Sequence, residues 1–117
     1  MAFSFEKLRV WQDAIELTGD INDLIKTFPP EEKFVLATQM QRAADSIALN
    51  IAEGSTGQSK PEFARFLGFG LRSGIEIISA LYIAKRRKLI DEKQFELYYN
   101  KTEKLITSIQ ALRKTLR

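Results

Sequence analysis

The chain has 117 residues, 44% hydrophobic and 28% charged, with 18 Lys and Arg against 15 Asp and Glu for a formal net charge of +3. That is the size and composition of one folded domain with its own core. With no Cys and no His, disulfides, thiolate nucleophiles, the usual zinc sites and His-based acid–base catalysis are excluded together.

The opening MAFSFEKLRVWQDA lacks a signal-peptide pattern. No window approaches the roughly 18 uninterrupted apolar residues of a membrane span. A cytoplasmic protein without a membrane partner is the expectation.

Helical spacing runs through almost the whole chain. The first helix is predicted over about 5–28, with Val10, Ala14, Leu17, Ile21, Leu24 and Phe28 as one core-facing stripe. Ser4 is its expected N-cap, with Phe3 and Leu8 in the positions of a hydrophobic staple. Pro29-Pro30 stops it, because neither residue can donate a backbone hydrogen bond.

The second helix is predicted over 30–53. Pro30 opens its first turn, Glu31 and Glu32 complement its dipole, and Leu36, Met40, Ala43, Ile47 and Ile51 form its stripe. Gly54 is the expected left-handed stop. Gln41, Asp45 and Ala48 are assigned to solvated faces.

Ser59-Lys60-Pro61-Glu62 then reads as a capping box opening a third helix over 60–88, with Phe63, Leu67, Gly70, Gly74, Ile77, Leu81 and Ala84 facing the core. Asp91 and Gln94 cap a fourth helix over 92–116, whose stripe is Phe95, Tyr98, Thr102, Leu105, Ile109, Leu112 and Leu116. Turns too short to cross a bundle force neighbouring helices antiparallel. The predicted fold is a single-domain, all-α, up-down-up-down four-helix bundle.

The third helix is apolar round most of its circumference, with Phe66, Phe69, Leu71, Ile75, Ile78 and Tyr82 outside its core stripe. Only Arg65, Gly68, Arg72, Glu76, Ser79 and Arg86 make a polar strip. That breadth predicts burial on more than one side, hence a homo-oligomer.

The second helix carries a polar line, Gln39, Arg42, Ser46, Asn50 and Glu53, one residue's rotation from its core stripe. Ser and Asn are poor helix formers and seldom chosen for an open face. With Ser73 and Glu76 of the third helix, the line is expected to form a polar seam that fixes helix register or a subunit contact, with Arg42–Glu76 and Arg72–Glu53 as candidate pairs. The alternative is a metal-dependent hydrolase built on Glu53 and Glu76. Two carboxylates without a surrounding acidic cluster carry that weakly, so the expectation is no catalytic residue, no metal and no cofactor.

Basic residues gather at two places. Lys85, Arg86, Arg87 and Lys88 close the third helix. At the other end Lys60 and Arg65 open it, while Arg113, Lys114 and Arg117 close the fourth, near Lys7 and Arg9. Helix C-termini favour such residues through the dipole alone. Repeated in an oligomer, however, a modest cluster becomes a large positive surface suited to phosphates. Lys60, Arg65, Arg86, Arg87, Lys88, Arg113, Lys114 and Arg117 are therefore the candidate nucleic-acid contacts.

FEKLRVWQDAIEL, QMQRAADSIALNIAEG and GLRSGIEI together resemble the bacterial 23S ribosomal RNA intervening-sequence proteins, a family of four-helix bundles, and the resemblance spans nearly the whole chain. It places Gln39, Arg42, Ser46, Asn50, Glu53, Gly54, Ser73 and Glu76 on motif positions. The family often has a small residue before the motif Ser and a Pro soon after it, where this chain has Asp45-Ser46-Ile47-Ala48.

The resemblance implies a ring-shaped pentamer. It also implies a fold similar to the accessory protein of diversity-generating retroelements, a basic pentamer that partners a reverse transcriptase and nucleic acid. The functional expectation is a non-enzymatic oligomeric accessory protein that binds RNA or DNA, alone or with a protein partner. The alternative is a protein–protein assembly module that binds no nucleic acid.

Overall fold

In the computed structural model, which describes residues 2–57 and 59–116, four helices account for most of the chain: α1 (Arg9–Ile25), α2 (Leu36–Gly54), α3 (Lys60–Arg86) and α4 (Glu92–Lys114). Each packs on its neighbours in sequence, and α1 closes the bundle against α4. The molecule measures 43 × 24 × 20 Å.

Cross-helix partners join each seam. Asn22 meets Gln41, Ser46 meets Ser73, Gly74 meets Ile106 and Asp20 meets Lys101. Most of the predicted stripe residues form the core: Val10 to Phe28, Leu36 to Ile51, Leu67 to Ala84, and Phe95, Leu105 and Ile109 are buried, while Phe63, Tyr98, Leu112 and Leu116 are half-buried against it. Thr102 is fully buried on the α4 stripe, its hydroxyl donating to the Tyr98 carbonyl at 2.8 Å. By length and composition α3 passes for a membrane-crossing helix, with a mean hydropathy of 1.4 over 18 residues. A third of that window is buried, and α3 packs against both α2 and α4.

The helix ends differ from expectation for local reasons. The first helix begins at Arg9, because Leu8 is extended (φ −76°, ψ 124°) and Ser4–Lys7 forms a separate 3₁₀ turn. Glu6 caps that turn by accepting from the Phe3 amide at 2.9 Å. Ser4 is not the N-cap; its hydroxyl donates to the Ser55 carbonyl at 3.3 Å, tying the N-terminal segment to the end of α2.

The second helix begins at Leu36 rather than Pro30. Pro30–Glu32 is a 3₁₀ turn, and Val35 leaves helical geometry (φ −119°, ψ −91°), which redirects the chain so that Leu36 and Ala37 enter the core. At the far end of α3 the helix stops at Arg86. Lys88 takes a left-handed φ of 62°, and the Leu89 amide donates back to the Ala84 carbonyl at 2.9 Å, a Schellman-type closure. The last turn also stops short, at Lys114.

Gly54 is not a left-handed stop. It lies within α2, and a Cβ there would come 2.6 Å from Phe66 Cβ and 2.9 Å from Phe63 Cδ1. Close approach of the α2 and α3 backbones requires this glycine. The left-handed glycine of the loop is Gly57, at φ 87°.

Candidate nucleic-acid interface

The polar line of α2 splits along its length. Ser46 and Asn50 are half-buried and joined: the Asn50 amide donates to the Ser46 carbonyl at 2.8 Å and to its hydroxyl at 2.9 Å, and the Ser73 hydroxyl donates to Ser46 Oγ at 3.0 Å. Gln39, Arg42, Glu53 and Glu76 are exposed instead. Neither expected ion pair, Arg42–Glu76 nor Arg72–Glu53, is among the ion pairs of the described residues. Four of the seven seam residues, three on α2 and Glu76 on α3, are therefore exposed to solvent rather than joined in the α2–α3 contact.

Glu53 borders a shallow depression with Thr56, Ser59, Glu62 and Phe66, close to the start of α3, whereas Glu76 lies midway along that helix. Among the described residues no group of three acidic side chains is placed to hold a metal ion.

A second polar seam went unread in the sequence. Asn22 donates to Gln41 at 3.0 Å, and Gln41 donates to Asp45 at 2.9 Å, joining α1 to α2. Gln41 and Asp45 are half-buried and Ala48 is buried, so the face assigned to solvent is the α1–α2 contact. Polar residues at i and i+4 gave no sign of which neighbour they meet.

The two basic clusters have different fates. At the end of α3, Lys85 is paired with Glu92 at 2.8 Å and stands 4.4 Å from the Phe95 ring centroid, while Arg87 reaches Glu32 at 3.3 Å. These two cations serve the fold; Arg86 and Lys88 remain exposed without an ion pair among the described residues.

At the other end, Arg65, Arg72, Arg113 and Lys114 converge where α3 and α4 run side by side. Lys60 sits apart, beside Gly57 and Phe63 in the α2–α3 turn, and Arg117 lies outside the described residues. Lys7 and Arg9 are exposed on α1's side, with Arg9 bonded to Asp13 at 3.1 Å.

The convergence is a built feature. Arg65, Gly68, Arg72 and Ile75 are spaced 3-4-3, one line along α3. Arg113 crosses from α4: its Nε donates to the Ala64 carbonyl at 3.0 Å, and its Nη2 lies 3.1 Å from where a Cβ on Gly68 would be. Gly68 is thus a seat for a guanidinium. Arg65 is held by Glu62 at 3.0 Å and stands 5.2 Å from the Phe69 ring centroid. Arg72, Arg113 and Lys114 form no ion pair among the described residues. Arg65, Arg72 and Arg113 line an open groove of about 590 Å³ with Phe69, Leu71 and Ile75. An adjoining groove of about 490 Å³, which shares Ala64, Leu71 and Arg113, is lined by Gln110, Lys114 and Leu116.

One further groove, of about 210 Å³, separates α1 from α4. There Asp13, Glu16 and Asp20 face Lys101 and Lys104, with Lys101 bonded to Asp20 at 3.0 Å. Its charges largely neutralise each other, and it offers no comparable excess of either sign.

The four packed helices with this motif-bearing second helix are matched by the family model for the 23S rRNA-intervening sequence protein, over residues 6–111. The chain belongs to that family. Among solved structures it is similar to a protein of unknown function from the S23 ribosomal protein family of Bacteroides thetaiotaomicron, at 25% identity and a TM-score of 0.83, covering 90% of this chain and 98% of that one. No curated protein matches the sequence.

Proposed function

We propose that this intervening-sequence protein is a non-enzymatic, cytoplasmic accessory factor that binds RNA or DNA through the α3–α4 groove. The observation that carries the reading is the placing of Arg72, Arg113 and Lys114, without ion pairs among the described residues, along two adjoining grooves that share Arg113, with Arg113 fixed on Gly68. Fixed guanidiniums with free N–H groups suit phosphate oxygens, and phosphate contacts supply most sequence-independent affinity.

The proposal includes self-association into a ring, pentameric as the family resemblance implies. Support comes from α2, where Leu49 is 66% exposed on the same helix face as Arg42 and Glu53, which form no ion pair among the described residues. Repetition around a ring would gather several grooves into one positive surface.

The test is binding of labelled RNA at low salt. Affinity should fall steeply between about 50 and 200 mM salt, as counterion release requires. Absence of binding at about 50 mM would overturn the reading. A stable complex with another protein that survives nuclease treatment, in the absence of RNA binding, would favour the assembly-module alternative. Light scattering checks the ring, and a monomer would remove it.

A further inference from the structure

Resting on that reading, we infer that the α3–α4 groove takes single-stranded rather than duplex nucleic acid, its cations following the backbone and its apolar floor receiving base faces. A duplex keeps its base faces stacked inside and presents phosphates, so a duplex site needs charge and shape but no apolar floor. This groove has such a floor. Ile75 is 60% exposed on the same α3 line as Arg65 and Arg72, and Leu71 and the half-buried Phe69 flank it. Unstacked bases are apolar on both faces and are held by aromatic and apolar side chains beside a positive track.

The positive character is local. Arg72 is the last cation of α3 that lines the groove, and Ile75 the last residue of α3 that does so. On α4, Glu96 and Glu103 precede Gln110, a residue of the adjoining groove, at seven-residue intervals and so share its side of the helix. From Arg65 to Ile75 the track runs about 15 Å at the helical rise, enough for a few nucleotides. An acidic protein segment would match the cations equally but would have no use for an open apolar floor without apolar residues of its own.

The experiment compares fluorescence anisotropy of a labelled RNA of about 12 nucleotides with its duplex of equal length, at about 50 mM salt. The single strand should bind at least about tenfold tighter. Ile75→Ser, at an exposed position that leaves the core intact, should weaken single-strand binding about fivefold or more while leaving the salt slope unchanged. Arg113→Ala should lower that slope by about 0.7, the value for one single-strand phosphate contact.

Equal or tighter duplex binding, or an Ile75→Ser variant with unchanged affinity, would overturn the inference while leaving the broader nucleic-acid reading in place. Displacement of the RNA by poly-glutamate at equal charge concentration would overturn it likewise, in favour of an acidic polypeptide. No binding to either RNA removes both readings together.

Discussion

Arg113 and Gly68 form a lock between α4 and α3: the guanidinium Nη2 lies 3.1 Å from the point a Cβ at residue 68 would take, and Nε donates to the Ala64 carbonyl one turn earlier. The atoms nearest to a methyl group at residue 68 belong to the far end of a flexible side chain, that of Arg113. Gly68→Ala should therefore leave stability unchanged or raise it by up to about 1 kcal/mol, the helix-propensity gain. RNA affinity should nonetheless fall toward that of Arg113→Ala. Thermal denaturation and anisotropy on the same variant check both halves, and a loss of stability with intact binding would contradict the assignment.

Gly54→Ala has the opposite expectation. The obstacle there is Phe66 Cβ at 2.6 Å, an atom fixed to the α3 backbone, so the helices must separate. Overpacking should cost about 1–3 kcal/mol despite the better helix propensity of Ala. Denaturant unfolding measures this, and a stabilised variant would refute it.

The Ser46–Asn50–Ser73 network is read as a register device. A double-mutant cycle on Ser46→Ala and Ser73→Ala should show a coupling of about 0.5–1.5 kcal/mol, as for a half-buried hydrogen bond between neutral groups. RNA binding should be unaffected, since neither residue borders the α3–α4 groove.

The two basic ends should separate on mutation. Arg113→Ala with Lys114→Ala should weaken RNA binding more than Arg86→Ala with Arg87→Ala, because Arg87 is already engaged by Glu32. Arg87→Ala should instead destabilise the fold modestly, by up to about 1 kcal/mol, by leaving a Glu32 side chain that is only 17% exposed without its partner. Parallel anisotropy and melting curves give the comparison; equal losses of binding at both ends would count against the groove.

The Lys101 ammonium is held above its usual range by its hydrogen bond to Asp20, with burial opposing and the Asp20 charge assisting. A raised folded pKa means the contribution is complete below the unfolded value of 10.5 and is lost as pH rises through the folded one. The pair is partly exposed, so its worth is below about 1 kcal/mol. Lys101→Met should be slightly less stable than the parent at pH 7, and the difference should shrink above about pH 10.5. Urea unfolding at pH 7 and pH 11 measures it, and a gap that persisted at high pH would exclude this pair as its source.

The sequence by itself determined the number of helices, their core stripes and the close of the bundle, because a period of 3.6 and short turns admit few other arrangements. Val10 to Phe28 and Leu67 to Ala84 could be read as buried without coordinates. Helix starts were less legible: nothing in Pro30-Glu31-Glu32 shows that Val35 will leave helical geometry to aim Leu36 inward.

Only the tertiary structure decided the uses of the glycines and charges. Gly54 and Gly68 are both helical, yet one admits a neighbouring helix and the other a guanidinium, a difference made by what lies opposite. Lys85 and Arg87 looked equivalent to Arg113 in the chain, but carboxylates remote in sequence or across a turn occupy the first two. Periodicity reports which side of a helix is apolar; which residue faces it across the bundle is a property of the packed chain.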